Sequence, residues 1–235
     1  MDNEKIYETF RTLSTPLICD ACLRRNVSIR LAPVGIRPLK DDMKVAGCVS
    51  PAKHHGSVDI LLEVIGLSNA GDVLVVDNCE RNDEACVGDL TALEARANGL
   101  SGIVAWGLHR DSSDLIRIGF PVFSYGSFPT GPQRLDPRAI DALEVAQFGE
   151  FSVSRNDVVF GDADGIVFVP LENTEEVLDT AKEIWVKERH QAERIESGLT
   201  LREMLRFDEY LERRASSPSY SFRRHLREVG GEMEE

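Results

Sequence analysis

Apolar and polar positions in the middle of the chain follow the pattern of a strand, a helix and a second strand. Val73–Asp77 is a short apolar run of the kind that forms a buried strand, and Gly102–Gly107 is another. Between them, residues 89–97 carry apolar side chains at helical spacing, and Asn98-Gly99 is typical of a helix end. Such a unit predicts a parallel sheet, whose ligand crevice lies beside the carboxyl ends of its strands.

Charged residues occur at two places that this unit brings to the same end of the sheet. Gly88-Asp89 opens the predicted helix, and Arg110-Asp111 follows the second strand, with twenty residues between Asp89 and Arg110. We therefore expect both groups to lie in the crevice. The competing interpretation of Arg110-Asp111 is an exposed ion pair without function, since such pairs are common on protein surfaces.

The same patterns predict the remaining elements and an α/β fold. Ser14-Thr15-Pro16 indicates a helix that begins at Leu17, within a region of helical character at residues 5–25. Further helices are predicted at residues 57–67, 112–118 and 172–197, and strands at residues 43–51, 121–125, 151–154, 158–160 and 166–169. We expect a mixed sheet with helices around it.

The helix predicted at residues 172–197 carries a charge on its apolar stripe. Glu188 falls on this stripe, which consists of Val177, Ala181, Ile184 or Trp185, Ala192 and Ile195. A buried carboxylate costs several kcal/mol unless it is paired or hydrogen-bonded. Glu188 therefore either reaches solvent beside its charged neighbours in sequence or reaches a polar site.

Composition limits the class of protein. The chain has 235 residues, of which 42% are hydrophobic and 29% charged, so we expect one medium-sized domain with an appendage. It lacks an apolar run of membrane-spanning length, and its first residues do not resemble a signal peptide, which predicts a soluble cytoplasmic protein without membrane contact. The net charge of −13 argues against non-specific nucleic-acid binding.

The cysteines and one histidine pair suggest other chemistry only weakly. Five cysteines, an odd number, favour a reducing compartment over a disulfide framework. Cys19 and Cys22 have the spacing of a redox or zinc pair, but no second ligand pair follows them. The adjacent His54 and His55 point to different sides of a strand or helix, which disfavours a shared metal.

One segment matches a protein-kinase motif by chance. His109-Arg110-Asp111 spells the catalytic triplet of kinases, but Ile116 stands where the kinase asparagine is expected. A glycine-rich loop is also missing from the start of the chain. A kinase is therefore excluded.

The spacing from Gly88-Asp89 to Arg110-Asp111 resembles the signature of the RraA-like family, which includes metal-dependent 4-hydroxy-4-methyl-2-oxoglutarate aldolases. The resemblance covers roughly residues 8–198. Each similar segment is weak evidence by itself, but their order and the twenty-residue spacing together are specific. The other similar segments are Ser14-Thr15, Asp20, Val45–Gly47, Ala70–Asp77, Gly99–Val104, Phe120–Phe123 and Gly161–Val167.

This resemblance implies a fold and an assembly. It predicts a single domain of the β/β/α swivelling type at residues 1–198, followed by a C-terminal helical extension at residues 199–235. Proteins of this kind form homotrimers or homohexamers, and a position similar to Glu188 supplies an acid to the metal site of a neighbouring subunit. We therefore expect Glu188 to be a catalytic residue contributed across a subunit interface.

The resemblance also implies a lyase that cleaves a 4-hydroxy-2-oxo acid to pyruvate. Asp111 would bind Mg²⁺ or Mn²⁺, which activates the 2-oxo group, and Arg110 would stabilise the enolate. Backbone N–H groups of Gly88, Asp89 and Leu90 would bind the substrate carboxylate at the helix start. The Asp89 side chain would orient the metal-bound water that moves the proton. Decarboxylation of oxaloacetate, which gives the same enolate, is an expected side activity.

A second function remains open, because some similar proteins are metal-free regulators that bind a ribonuclease or RNA-processing complex. Asn78–Glu84 departs from the family in being strongly polar, and we expect this segment at the pocket rim. The extension is too rich in apolar residues for a disordered tail. It either packs on a neighbouring subunit or supplies Arg223, Arg224 or His225 to a pocket.

Overall fold

The computed structural model describes residues 1–230 and divides the chain into two compact units. The first unit is Met1–Leu178, and the second begins at Asp179. Division into a domain at residues 1–198 and an extension at residues 199–235 stays a prediction, and the last five residues of that extension lie outside the described residues.

Helices and strands alternate through the first unit, and helices alone continue in the second. The helices are α1 Asn3–Phe10, α2 Thr15–Arg25, α3 Asp59–Gly66, α4 Asp89–Ala97, α5 Ser112–Ile118, α6 Thr174–Glu196, α7 Leu201–Met204, α8 Phe207–Ser216 and α9 Phe222–Val229. The strands are β1 Arg30–Leu31, β2 Arg37–Pro38, β3 Val45–Lys53, β4 Val73–Asp77, β5 Ala85–Val87, β6 Gly102–Trp106, β7 Leu108–His109, β8 Val122–Ser124, β9 Val145–Phe148, β10 Phe151–Ser154, β11 Asp157–Asp162 and β12 Gly165–Pro170.

An eight-stranded mixed sheet forms the centre of the first unit, in the order β1-β12-β11-β3-β4-β6-β8-β2. Strands β3, β4, β6 and β8 pair in parallel, and the strands at either side pair antiparallel. A separate parallel pair, β5 and β7, and the antiparallel pair β9 and β10 complete the strands. The predicted mixed sheet with helices around it is confirmed.

Both faces of the parallel strands are covered by apolar side chains. On one face, Leu74 and Val76 belong to a core that α3 and α4 complete. On the other face, Val73 and Val75 pack in a second core with Phe148 and other residues. Because neighbouring residues of a strand point to opposite faces, a strand buried on both sides reads as a continuous apolar run. This explains why Val73–Asp77 was recognisable in the sequence.

The region predicted as helical at residues 5–25 contains two helices, and the second begins two residues before the predicted Leu17. Ser14 has extended backbone angles and ends the helical path between α1 and α2. The first turn of α2 is held by Asp162 of β11, whose carboxylate accepts hydrogen bonds from the Thr15 N–H and hydroxyl, both at 2.7 Å. The helix start therefore depends on a contact that is distant in sequence.

Short strands were also missed by the sequence patterns. β1, β2 and β7 have two residues each, β5 has three and β9 has four. An alternation with a period of two residues cannot be recognised over two or three residues. The long helix, predicted at residues 172–197, is α6, preceded by a 3₁₀ turn at Leu171–Asn173.

The second unit is helical, as predicted for the C-terminal extension. Thr200 caps α7 with a capping box to Glu203. Tyr210, Tyr220 and His225 are buried, and the His225 Nε2 atom lies 2.8 Å from the Leu205 carbonyl oxygen. His225 is thus a packed residue of this unit, which argues against its supply to a pocket. Across residues 1–230, every helix is too short or too polar to cross a membrane.

We predict that Gly47 is essential for the close packing of β3 against the backbone of Gly71, just before β4. A Cβ at this position would lie 2.1 Å from the Gly71 carbonyl oxygen, a backbone atom that cannot rotate away. Gly47→Ala should lower the free energy of unfolding by about 1–3 kcal/mol or more. The control is Gly66→Ala, whose Cβ would meet no atom of residues 1–230 within 4 Å. Urea denaturation compares the two, and equal stability would contradict the prediction.

Candidate functional site

A cavity of about 250 Å³ lies where the loops after the parallel strands meet. The register pairs Lys53 with Asp77 and Asp77 with Trp106, so β3, β4 and β6 end at the same level. The chain leaves each strand toward the same edge of the sheet. The cavity is lined by residues of these loops and of the loop after β8: His54, Gly56–Val58, Ala85–Thr91, Arg110, Asp111, Gly131 and Pro132. The predicted residues Gly88, Asp89, Leu90, Arg110 and Asp111 are therefore brought together.

Arg110 and Asp111 are positioned by the short parallel pair β5 and β7. The Arg110 N–H donates to the Val87 carbonyl oxygen at 2.9 Å, which fixes the pair beside Gly88. Arg110 Nε donates to Asp111 Oδ2 at 3.2 Å, and both side chains are partly exposed. Asp111 has the left-handed backbone conformation, with φ 61°, which aspartate tolerates better than most residues.

The Asp111 carboxylate is directed away from the helix that it precedes. Asp111 is the N-cap residue of α5, but within residues 1–230 its side chain caps no N–H group of that helix. Oδ2 instead lies beside Gly88, where an added Cβ would be 2.6 Å away. Gly88 has φ −143°, so the glycine is needed for space rather than for backbone freedom. Gly88 thus cradles a carboxylate that is open to the cavity.

Asp89 begins α4, and its carboxylate occupies the start of that helix. Its Oδ1 accepts a hydrogen bond from the Leu90 N–H at 2.8 Å. A negative charge is favourable there because the first N–H groups of a helix carry the positive end of its dipole. The Leu90 N–H was predicted to bind the substrate carboxylate. Asp89 holds that position in this structure, so a substrate would have to displace the Asp89 side chain.

His109, which directly precedes Arg110-Asp111, connects the elements around this pair. The sequence patterns did not indicate this role. The His109 ring is buried, with Nδ1 2.7 Å from Ser124 Oγ and Nε2 3.0 Å from Ser112 Oγ. Burial lowers the pKa of His109, and the nearby Asp111 carboxylate opposes that shift. The ring is therefore a neutral bridge that connects β7, β8 and the start of α5. The one sequence feature that could have indicated this role is the position of His109 directly before Arg110.

A polar network lies behind His54, the one member of the network that lines the cavity. His54 Nδ1 lies 2.8 Å from Asn78 Oδ1, and that oxygen accepts from Arg134 Nη2 at 3.1 Å. Arg134 also donates to Glu84 at 2.8 Å, and the Glu84 side chain is only 4% exposed. The segment Asn78–Glu84 was predicted as a polar rim. Its two ends are instead buried within this network, because Arg134 pairs with them.

The weak metal and redox motifs gain no support from their positions. Burial raises the pKa of Cys19 and of Cys22 to about 11, so neither is a reactive thiolate near neutral pH. Of the adjacent histidines, His54 lines the cavity and His55 does not. Among the described residues, no three or more histidine, cysteine, aspartate and glutamate side chains form a group able to hold a metal.

Glu188 lies in the part of α6 that belongs to the second unit. It is partly exposed, whereas Ala181 and Ile184 of the predicted stripe are buried and Ile195 is exposed. The apolar stripe is therefore buried at its beginning and open toward its end. The role of Glu188 across a subunit interface stays a prediction.

Comparison with known proteins identifies the family. The family model described as "RraA-like: Aldolase/RraA" matches residues 15–168, well over half of the chain. The chain belongs to the RraA-like family. The segment of the match contains Gly88, Asp89, Arg110 and Asp111, whereas Glu188 lies beyond it.

One curated relative carries an enzymatic name and another carries none. A protein of Ectopseudomonas mendocina, provisionally named a 4-hydroxy-4-methyl-2-oxoglutarate aldolase, is 30% identical over 159 residues, which cover 66% of this chain and 93% of that protein. An uncharacterised protein of Methanocaldococcus jannaschii is 28% identical over 202 residues, 84% of this chain and 92% of that protein.

Solved structures confirm the predicted fold of the β/β/α swivelling type. An uncharacterised protein from Pseudomonas syringae has a TM-score of 0.74 and 25% identity, with 85% of this chain and 96% of that one covered. Streptomyces coelicolor RraAS2, described as an unusual member of the RNase ES inhibitor RraA protein family, has a TM-score of 0.69 and 23% identity, with 83% and 100% covered. RraA-like proteins thus include named aldolases and named inhibitors.

We predict that Gly88→Ala moves the Asp111 carboxylate without unfolding the protein. The new methyl group would lie 2.6 Å from Oδ2, the end of a side chain that can rotate, and the backbone angles of Gly88 suit alanine. Urea denaturation should give a nearly unchanged midpoint, and a crystal structure should show Asp111 in a different rotamer. Gly66→Ala is again the control. An unmoved carboxylate in a stable variant would contradict the prediction.

Proposed function

We propose that this protein is a divalent-metal-dependent lyase that cleaves a 4-hydroxy-2-oxo acid and releases pyruvate. The observation that supports this most is the convergence of Asp111, Arg110 and the start of α4 on one cavity, with Gly88 making room for the carboxylate. The aldolase name of a relative at 30% identity agrees with it. The substrate is a small 2-oxo acid, which the cavity of about 250 Å³ can hold.

The residues present fit Mg²⁺ or Mn²⁺. Asp111 offers a carboxylate that is partly exposed and cradled by Gly88. Mg²⁺ typically takes one or two protein carboxylates and completes its coordination with water and substrate oxygens, so a larger ligand group is not required. Bound at Asp111, the ion would polarise the 2-oxo group and favour the enolate.

Arg110 and the start of α4 would bind and orient the rest of the substrate. The Arg110 guanidinium lies beside Asp111 and can stabilise the negative oxygen that develops on the pyruvate half. The N–H groups at Gly88, Asp89 and Leu90 would receive the substrate carboxylate once the Asp89 side chain has turned away. Asp89 would then orient a water molecule that carries the proton of the C4 hydroxyl.

A Schiff-base mechanism has no support in the cavity. Of the residues that the structure describes around the cavity, none is a lysine. Enolate stabilisation therefore depends on positive charge and hydrogen bonds. The same groups would stabilise the enolate formed when oxaloacetate loses CO₂, so oxaloacetate decarboxylase activity is expected alongside cleavage.

A protein-binding regulator of a ribonuclease or RNA-processing complex is the alternative function. Streptomyces coelicolor RraAS2, whose description names an RNase inhibitor family, is 23% identical, so its likeness extends to the fold alone. The charged groups at the cavity favour the enzyme, because a surface for protein contacts would not require a carboxylate cradled by glycine. The turnover assay below separates the two functions.

We predict that the protein releases pyruvate from 4-hydroxy-2-oxo acids and from oxaloacetate only with Mg²⁺ or Mn²⁺. EDTA should abolish turnover and added metal should restore it, measured by coupling pyruvate to lactate dehydrogenase. Asp111→Asn keeps the size and tolerates the left-handed backbone but removes the charge, so it should lower turnover by roughly 100-fold or more. Asp42→Asn, an exposed carboxylate beside Lys40, is the control. Full activity in EDTA would contradict the metal requirement, and no turnover at all would favour the regulator.

We predict that the active site is completed by Glu188 of a neighbouring copy in a homotrimer or homohexamer. Glu188→Gln should lower turnover by roughly 10- to 1,000-fold, the range of a lost acid or supporting group, while light scattering shows an intact oligomer. Mixing it with the Asp111→Asn protein should restore some activity, since hybrid assemblies contain sites without either change. Glu193→Gln, an exposed glutamate of the same helix, is the control. An active monomer would refute a shared site.

A further inference from the structure

His54 is a buried histidine with one nitrogen still open. Its side chain is 2% exposed, yet it lines the cavity that contains Asp89, Arg110 and Asp111. Nδ1 is engaged by Asn78. Within residues 1–230, Nε2 has no hydrogen-bond partner and does not belong to the buried unpartnered atoms, so this nitrogen is accessible on a side chain that lines the cavity. This residue has no part in the mechanism described above.

The network around Asn78 determines which nitrogen of His54 carries the proton. Arg134 can only donate, so the Asn78 atom that it contacts at 3.1 Å is the carbonyl oxygen of the amide. The same oxygen lies 2.8 Å from His54 Nδ1 and cannot donate to it. Nδ1 must therefore carry the hydrogen. Neutral His54 then presents the lone pair of Nε2 to the cavity, as a proton acceptor requires.

Burial, more than the neighbouring charges, keeps the His54 ring neutral. Burial lowers the pKa of His54, and Arg134 and His55 act in the same direction. The hydrogen bond to Asn78 and the carboxylate of Glu84, 4.0 Å from Nδ1, oppose this shift. On the cavity side the charged groups are Asp89, Asp111 and Arg110. Since the pKa falls below its ordinary value of about 6.5, His54 is an unprotonated base at neutral pH.

We propose that His54 Nε2 is the base that finally accepts the proton of the substrate C4 hydroxyl, passed on by the water molecule at Asp89, and then returns it to the pyruvate enolate. This inference rests on the proposed lyase reaction. The O–H bond breaks as the proton passes through the water to Nε2, and the electrons of that bond form the C4 carbonyl. The C3–C4 bond breaks, its electron pair forms the C2–C3 double bond, and the 2-oxo oxygen takes the negative charge. The protonated ring then protonates C3, which gives pyruvate and neutral His54.

Oxaloacetate separates this role from a role in packing. Loss of CO₂ from oxaloacetate forms the same enolate, but the leaving carboxylate is already ionised and no hydroxyl proton has to be removed. A missing base should therefore stop cleavage of a 4-hydroxy-2-oxo acid while sparing the loss of CO₂. A distorted cavity would lower both activities together.

Two variants of His54 test the proposal, and a variant of the adjacent His55 is the control. His54→Asn places an amide N–H near the position of Nδ1, which keeps the hydrogen bond to Asn78 while removing Nε2. His54→Gln places an amide near the position of Nε2, which keeps the contact with the cavity but is not a base. His55→Asn is the matched control, because the adjacent side chain is also largely buried but does not line the cavity. Each is assayed with Mg²⁺ in the full chain, and urea denaturation verifies folding.

We expect both His54 variants to lose roughly 100- to 10,000-fold in kcat for cleavage, the range of a lost general base. Oxaloacetate decarboxylation, followed as CO₂ release, should change little. In wild type, kcat/KM for cleavage should fall in acid, and because the pKa of His54 is lowered by burial the decline should lie below the ordinary imidazole value of about 6.5, where a protonated ring cannot accept a proton. The residual activity of the variants should lack that decline. Unchanged cleavage, or an equal loss of both activities, would overturn the proposal.

The protonation state of His54 can be measured without turnover. ¹⁵N NMR of the wild-type protein, with the His54 signals assigned by comparison with His54→Asn, should show a proton on Nδ1 and none on Nε2 at pH 7.5. A proton on Nε2, or a charged ring, would overturn the inference even if the lyase activity is present. Wild type that releases no pyruvate from either substrate would refute the proposed function itself, which is a separate outcome.

Discussion

The in-register parallel pairing of β3, β4 and β6 is the constraint on which the candidate site depends. Lys53, Asp77 and Trp106 end their strands side by side, so the loops that follow begin at one edge of the sheet. The two-residue strand β7 then pairs with β5 and brings Arg110 to the Val87 carbonyl oxygen. Residues far apart in sequence become neighbours because backbone hydrogen bonds fix the register. This placement does not depend on contacts between the side chains of the cavity.

Several residues at and around the site lower the stability of the folded protein when each is taken by itself. Asp111 takes a left-handed backbone conformation, and Glu84, His54 and His109 are buried. Buried charges are tolerated when they are paired and hydrogen-bonded, as Glu84 is with Arg134. The surrounding apolar cores on both faces of the sheet provide the stability that offsets these costs. Burial then has a chemical effect, because it lowers the pKa of both histidines.

The sequence predicted the parts of the fold that local patterns determine. Val73–Asp77 and Gly102–Trp106 are buried on both sides and therefore appear as apolar runs, and their pairing placed Asp89 and Arg110-Asp111 together. The start of α2 was misplaced because its cap, Asp162, belongs to a distant strand. The site was incomplete for the same reason. His54 meets Asn78 and Arg134 only through tertiary contacts, and neither its spacing nor its neighbours in sequence indicated them.

The part of the cavity lining that follows β8 differs in backbone structure from the rest. Gly131 and Pro132 belong to residues 128–139, which form neither helix nor strand, and Arg134 connects this segment to Glu84. Irregular segments accept substitutions and insertions more readily than strands. In the proposed lyase, changes in this loop would alter which substrate side chain the cavity accepts, while Asp111 and its neighbours keep their places on the sheet. The groups proposed to carry out the reaction would then be held by the sheet, and the segment that selects among substrates would be free to change.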